Sequence, residues 1–196
     1  MAIDTQLITR LREQTGAGIA DIKAALDEAD GDTDKAVELL RKKGAMKAAK
    51  KTVERTAGDG LVASYIHANG RVGVLLELRC ETDFVARTQD FKSLAHEITL
   101  QVAAANPIYL NRESVSETIL EKEREIYREQ LRAKGKPEKM WDKIIEGKLE
   151  KFYQENCLVE QRYIKDDSKT IAQLVDEHIA KLGEKIEIGK FIRFQV

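Results

Sequence analysis

An antiparallel β-hairpin is the local structure that this sequence specifies most strongly. Residues 61–67 and 71–81 read as two strands, and Asn69-Gly70 between them is the strongest short hairpin signal a sequence carries. Apolar side chains alternate along the second strand onto one face: Val72, Val74, Leu76, Leu78 and Cys80. This alternation has the period of a pleated strand, so the second strand is expected to place these residues together on a single face.

The hairpin leads into a turn with the sequence Thr82-Asp83-Phe84-Val85-Ala86-Arg87. Thr82 or Asp83 can cap a short helix, and Thr88 can begin a longer one that ends near Asn106-Pro107. The longer helix is predicted to turn Phe91, Leu94, Ala95, Ile98 and Val102 inward. Two interpretations of Phe84 stay open at this point: a local staple that packs on its own helix start, or a wedge offered to a partner.

Residues 1–45 predict three short amphipathic helices, separated at Gly16-Ala17-Gly18 and at Gly31 and ended by Gly44. Three helices in about 40 residues have a marginal core, and such a unit more often docks onto another body than performs chemistry. The exposed loop after the first helix is therefore a candidate binding surface, formed by Gly16, Ala17, Gly18, Ile19 and Ala20.

A basic segment follows, with seven Lys or Arg residues between positions 41 and 57 against Glu54 alone. We interpret residues 46–57 as a solvated, alanine-rich connecting helix. An RNA-binding surface that uses Lys47, Lys50 and Lys51 is the alternative. The run contains no aromatic residue, so base stacking has no support there.

The rest of the chain predicts an α+β core over residues 58–196. A charged αα-hairpin occupies about residues 113–155, with its turn at Lys134-Gly135-Lys136-Pro137. Ser168 is predicted to cap a further helix that ends at Gly183. The last strand, residues 186–196, is expected to join the hairpin in a small antiparallel sheet.

Composition and motifs favour a binding protein over an enzyme. The net charge is −1, so no field of the whole chain selects nucleic acid or an anionic membrane. Apolar runs stay well short of the roughly 20 residues of a membrane span, and the N-terminus does not resemble a signal peptide. Cys80 and Cys157 stand alone, which suits a reducing cytoplasm. The sequence offers no nucleophile–base set, metal cluster or phosphate loop, so we expect no catalytic residues, no metal and no cofactor.

Several blocks of the sequence resemble the elongation factor Ts (EF-Ts) family, the exchange factors for the translational GTPase EF-Tu. The turn 82–87 is similar to the family signature, and Leu11-Arg12-Glu13-Gln14-Thr15-Gly16-Ala17-Gly18 is similar to its N-terminal block. Further similar blocks are Gly44–Lys51, Ser64–His67, Gly135–Pro137 and Gly189–Phe194. The resemblance spans essentially the whole chain.

The resemblance implies a UBA-like three-helix domain at residues 1–45, a linker at 46–57 and the core at 58–196. It implies that Asp83 and Phe84 enter the GTPase domain of EF-Tu near the nucleotide, with Thr82 and Val85 shaping the turn. There they would disturb the Mg²⁺ site and the phosphate-binding loop, so that GDP leaves and GTP can bind. The loop at Gly16–Ala20 would dock on a helix of the same domain.

The resemblance also bears on assembly. Tyr65 and His67 lie in a segment that, in longer family members, belongs to a second core half facing another EF-Tu domain. Longer members carry two copies of the core unit, whereas this chain has room for one. We therefore expect a homodimer that forms a two-plus-two complex with EF-Tu, with neither membrane nor direct nucleic-acid contact.

Overall fold

The computed structural model describes residues 5–196, except for the side chains of residues 45 and 47–54. This part of the chain contains eight α-helices and five β-strands. The helices are α1 (Thr5–Thr15), α2 (Ile19–Glu28), α3 (Thr33–Glu54), α4 (Asp83–Ala86), α5 (Gln89–Ala105), α6 (Glu117–Ala133), α7 (Trp141–Asn156) and α8 (Ile171–Leu182). The strands are β1 (Asp59–Ile66), β2 (Val72–Cys80), β3 (Arg162–Tyr163), β4 (Asp166–Thr170) and β5 (Glu187–Gln195). The predicted α+β class is confirmed.

The chain folds as two compact units. Unit 1 comprises Met1–Thr99 and Ala172–Val196, and unit 2 comprises Leu100–Ile171. Within the described residues, no helix combines the length and the apolar character needed to cross a membrane.

Helices α1, α2 and α3 confirm the predicted three-helix arrangement. Their inward faces form one buried cluster: Ile8, Leu11, Ile22, Ala25, Leu26, Ala29, Ala36 and Leu40. The predicted end of the third helix at Gly44 is wrong, because α3 continues to Glu54. A single glycine costs a helix only about 1 kcal/mol, and the residues that follow are mostly strong helix formers. The division of the chain at residues 45 and 57 stays a prediction.

The main sheet is antiparallel with the order β1-β2-β5. The β1–β2 pair is the predicted hairpin, in register at Leu61–Leu78 and Tyr65–Val74. Its turn is longer than a two-residue loop, because the last ladder pair is Ile66–Gly73 and the N–H of His67 donates to the carbonyl of Val72 at 2.9 Å. Gly70 has a φ of 67°, a left-handed conformation that favours glycine. The third strand, β5, confirms the predicted last strand.

The two faces of this sheet differ in burial. On β2, Val74, Leu76, Leu78 and Cys80 are all buried, as their alternation predicted. The opposite face, which we call the open sheet face, exposes five large apolar side chains: Val62, Ile66, Leu75, Ile192 and Phe194. Leu75 pairs with Ile192, Gly73 lies between Ile66 and Phe194, and Val62 pairs with Glu77, so the five residues lie on one face that spans all three strands.

Unit 2 contains the predicted helical hairpin, formed by α6 and α7. At its tip the indole N–H of Trp141 donates to the carbonyl of Lys136 at 2.8 Å. The predicted cap at Ser168 is wrong, because Ser168 lies in β4, which pairs with β3. Its hydroxyl donates to the carboxylate of Asp166 at 2.6 Å, and α8 begins three residues later at Ile171.

Candidate functional site

The turn after β2 exposes Phe84 at the start of a short, capped helix whose last two residues are buried in the core. Thr82 is extended, and its hydroxyl oxygen accepts the N–H of Val85 at 3.4 Å, which caps the four-residue helix α4. Val85 and Ala86 are buried, whereas Phe84 is 78% exposed. A staple would bury the ring against its own helix, so this exposure excludes that interpretation.

Asp83, next to Phe84, is also exposed. Its carboxylate forms an i,i+4 ion pair with Arg87 at 2.7 Å. Exposed pairs of this kind stabilise a protein by only about 0–1 kcal/mol. The carboxylate can therefore leave Arg87 for another partner at little cost.

Glu184, in the loop after α8, holds the chain where β2 ends and the turn begins. One of its carboxylate oxygens accepts the N–H groups of Glu81 and Thr82, each at 3.1 Å. The other accepts the hydroxyl of Thr82 at 2.6 Å. Sequence reasoning missed Glu184, which lies 102 residues from Thr82 in a stretch with no motif of its own.

The N-terminal candidate loop meets the same end of α8. Gly16 has a φ of 66°, and a Cβ built on it would lie 3.0 Å from the Cβ of Lys181. Lys181 in turn forms an ion pair with Asp90, at the start of α5, at 2.8 Å. Gly18, Ile19 and Ala20 are exposed, while Gly16 and Ala17 are partly buried. The structure thus brings the candidate loop and the signature turn to one end of α8.

Tyr65 lies in β1 and His67 directly follows the end of that strand, and their side chains lie together, as their spacing predicted. The hydroxyl of Tyr65 and Nδ1 of His67 are hydrogen-bonded at 2.9 Å. The ring of His96 on α5 meets Tyr65 edge to face, with 6.2 Å between ring centroids. Sequence reasoning treated His96 only as part of an incomplete zinc motif, because its proximity to β1 depends on how α5 lies in the fold.

The remaining reactive groups do not suggest bond chemistry. Both cysteine side chains are buried, and burial raises the pKa of each thiol to about 11. Thiols of this pKa are almost entirely protonated at neutral pH and are poor nucleophiles. In the part of the chain that the structure describes, no three His, Cys, Asp or Glu residues lie together as metal ligands would.

Comparison with known proteins gives one family. The sequence model of the family described as Elongation factor TS matches residues 9–196. Elongation factor Ts of Fervidobacterium nodosum is 54% identical over 196 residues, which is all of this chain and 99% of that protein. Elongation factor Ts of Thermotoga maritima is 55% identical over the whole chain and 97% of its own length. That of Thermoanaerobacter sp. strain X514 is 55% identical over 193 residues, or 98% of this chain and 94% of that protein.

Proposed function

The chain belongs to the elongation factor Ts family, the nucleotide exchange factors of translation elongation, and we propose that it acts on EF-Tu. In this proposal it binds EF-Tu·GDP, disturbs the Mg²⁺ and phosphate site with the Asp83-Phe84 turn and promotes release of GDP. GTP then binds and expels the factor. The chain itself makes and breaks no covalent bond, and we place it in the cytoplasm, where bacterial translation takes place.

The observation that carries this proposal is the exposure of Phe84 on a buried support. An aromatic ring can bury about 150–250 Å² in a partner, which is enough to displace packed elements there. Val85 and Ala86, which follow Phe84, are buried, so the turn stays anchored in the core when the ring contacts a partner. Asp83 beside the ring would add a negative charge that competes for the electrostatic environment of the partner's Mg²⁺.

The exchange follows from coupled binding. If the factor weakens the affinity of EF-Tu for GDP, GDP weakens the affinity for the factor by the same ratio. The factor therefore speeds nucleotide release without being consumed. Thr82 and Val85 serve this step by shaping the turn.

Two further surfaces would dock the factor on EF-Tu. We propose that the UBA-like unit, residues 1–45, contacts a helix of the GTPase domain through Gly16–Ala20. The exposure of Ile19 beside two small residues supports a close apolar contact. Tyr65 and His67, with His96 beside them, would contact a different domain of EF-Tu.

We also propose a homodimer and a two-plus-two complex, because one core cannot supply both copies of the core unit. The open sheet face supports this proposal. It places five exposed apolar side chains on one surface, a pattern typical of interaction sites rather than of solvent-facing sheet. A twofold arrangement lets the same face of two chains cover each other.

The RNA-binding alternative has little support in the described residues. Lys42 pairs with Glu38 and Lys43 with Glu28, each at 2.8 Å, and Arg55 pairs with Glu81 at 3.1 Å. The side chains of Lys47, Lys50 and Lys51 lie outside the described residues. We therefore propose no direct nucleic-acid partner.

Release of fluorescent GDP from EF-Tu, followed by stopped flow, tests the proposal. Wild-type protein should accelerate release, and Phe84→Ala should reduce the acceleration about tenfold or more, as truncation of an aromatic anchor does. Its free energy of unfolding should change by less than about 0.5 kcal/mol, because the ring is exposed. Ile164→Ala, which removes an exposed apolar side chain from the β3–β4 turn, is the control and should release GDP at the wild-type rate. Equal release by Phe84→Ala and wild type would exclude the wedge.

A further inference from the structure

We infer that Glu184 is a positioning residue for nucleotide exchange, because its carboxylate fixes the Thr82 cap from which Asp83 and Phe84 project. This inference rests on the proposed function. It adds to that function a residue that is far from the turn in sequence and hydrogen-bonds to Glu81 and Thr82.

The geometry of the carboxylate is that of a clamp. Three donors from two consecutive residues converge on its two oxygens: the N–H groups of Glu81 and Thr82 and the hydroxyl of Thr82. Hydrogen bonds to a charged group are the strong ones, and the contact at 2.6 Å lies in their short range. The carboxylate therefore restrains the backbone where β2 ends and the turn begins.

The clamp also determines the direction of the Thr82 hydroxyl. A hydroxyl has one proton to donate and two lone pairs that accept. Because the proton points to Glu184, a lone pair remains for the N–H of Val85, the bond that begins α4. Glu184 thus acts on the helix start through Thr82.

Every other polar group of Thr82 is engaged as well. Its carbonyl accepts the thiol of Cys80 at 3.2 Å and the N–H of Ala86 at 3.2 Å. Thr82 is held from the strand behind it, from α4 ahead of it and from Glu184 beside it. The residue that precedes Asp83 and Phe84 is consequently constrained on three sides.

The two segments hold each other through their glutamates, and an arginine bridges them. The carboxylate of Glu81 accepts the N–H of Lys185 at 2.6 Å, so each segment uses its glutamate on the backbone of the other. Arg55 donates to Glu81 at 3.1 Å and to the carbonyl of Gly183 at 3.3 Å. Its positive charge offsets the carboxylate of Glu81, and its bond to Gly183 ties it to the segment that carries Glu184.

A fixed turn matters because an exposed ring gains affinity from being preorganised. A loose turn would lose conformational freedom on binding, and that loss would subtract from the binding free energy. A variant without the clamp should therefore keep the Phe84 side chain but act more weakly on the partner.

The test compares Glu184→Ala, Glu184→Gln and the control Glu187→Ala in the GDP-release assay, each alone and combined with Phe84→Ala. Glu187 lies three residues from Glu184, and its described ion pair is with Lys185. Loss of hydrogen bonds to a carboxylate should slow release at subsaturating factor by about tenfold or more for Glu184→Ala. Glu184→Gln keeps an acceptor oxygen and should retain an intermediate rate, and Glu187→Ala should retain the wild-type rate.

A double-mutant cycle separates positioning from a general structural effect. If Glu184 acts through the wedge, Glu184→Ala should slow release by less than about twofold when Phe84 is already alanine. A wild-type rate for Glu184→Ala would overturn the inference. A full additional loss in the Phe84→Ala background would overturn it too, since Glu184 would then act elsewhere.

Hydrogen exchange of backbone amides gives a readout that does not depend on EF-Tu. In Glu184→Ala the amides of Glu81, Thr82 and Val85 should exchange about tenfold faster or more, while those of the β1–β2 pair stay unchanged. Unchanged exchange at these amides would overturn the clamp even if the protein is an exchange factor. Failure of the wild-type protein to release GDP would instead overturn the proposed function, and the amide data would still decide the clamp.

Discussion

Phe84 and Phe91 lie seven residues apart, a spacing that would place them on one face of a continuous helix. The structure separates them, because α4 ends at Ala86 and the hydroxyl of Thr88 accepts the N–H of Phe91 at 3.3 Å. Phe91 is fully buried, whereas Phe84 is exposed. The break between two capped helices therefore leaves one of two similar aromatic residues exposed and the other buried.

At the same scale, the buried thiols predict how stability depends on alkaline pH. Burial raises the pKa of Cys80 and Cys157 from 9.0 to about 11, so the unfolded chain loses these protons first. Their contribution to stability is complete below about pH 9 and is lost as the pH rises towards 11. Urea unfolding across this range should show a smaller loss of stability in Cys80→Ala/Cys157→Ala than in wild type.

Thiol labelling is the control for that prediction. The folded protein should react slowly with a disulfide reagent at pH 8, and two thiols should react once it is unfolded. Rapid labelling of both thiols in the folded state would contradict the assignment.

At the scale of the element, the C-terminal end of α8 and the loop after it contact both parts of the candidate site in unit 1. Lys181 meets Gly16 of the N-terminal loop and pairs with Asp90, and Glu184 holds the signature turn. The last turn of α8 and the loop that follows it thus contact both surfaces that are proposed to bind EF-Tu.

The contact of Gly16 with α8 makes a prediction for stability. Gly16→Ala should lower the free energy of unfolding by about 1–2 kcal/mol, because an L-residue is strained in this left-handed conformation and its Cβ would crowd Lys181. Gly18→Ala is the matched control. Its φ of −68° suits any residue, so its effect should stay within about 0.5 kcal/mol. Equal thermal shifts in the two variants would contradict this role of Gly16.

In unit 2, Arg112 is at the centre of a network of side-chain contacts. Its guanidinium donates to Glu150 at 2.9 Å, also pairs with Glu160, and lies 4.6 Å from the ring centroid of Tyr153. Arg112→Lys should cost about 1 kcal/mol of unfolding free energy, because lysine cannot form two forked pairs and stack at once. Arg128→Lys, at an exposed position on α6, should change stability by less than about 0.5 kcal/mol. Urea unfolding measures both, and a loss shared by both variants would argue against the network.

At the scale of the whole molecule, the open sheet face is a feature that one chain leaves unexplained. The side chains of β1, β2 and β5 that point away from the core include five large apolar residues. A second copy of the chain would cover them and would provide the second core that the proposed complex requires.

Sedimentation equilibrium tests that assembly. Wild-type protein should sediment as a dimer, and Phe194→Glu should shift it to monomer, because a charge buried in an apolar interface is strongly unfavourable. Ile126→Glu, which changes an exposed apolar residue on α6, should remain dimeric. A monomeric wild-type protein with full exchange activity would exclude the two-plus-two complex.

Local pattern was sufficient for most of the elements. The β1–β2 hairpin, the inward face of α5, the helical hairpin and the last strand were all predicted, because strand and helix periods and turn residues act over a few positions. The errors lie at helix boundaries, where the local signals for two alternative structures are similar in strength. Gly44 does not interrupt α3, and Ser168 bonds to Asp166 in β4 instead of capping α8. Family blocks then marked the turn, the N-terminal loop and Tyr65 with His67 as candidate sites.

The remaining features of the candidate site were determined by the tertiary structure. The exposure of Phe84, the contact of His96 with Tyr65 and the clamp of Glu184 on Thr82 all depend on segments that are distant in sequence. A glutamate in a polar loop has the same local pattern whether it faces solvent or accepts three hydrogen bonds 102 residues away. Periodicity and propensity carry no information about such partners, because the free energy of these contacts arises only once the sheet and α8 have been brought together.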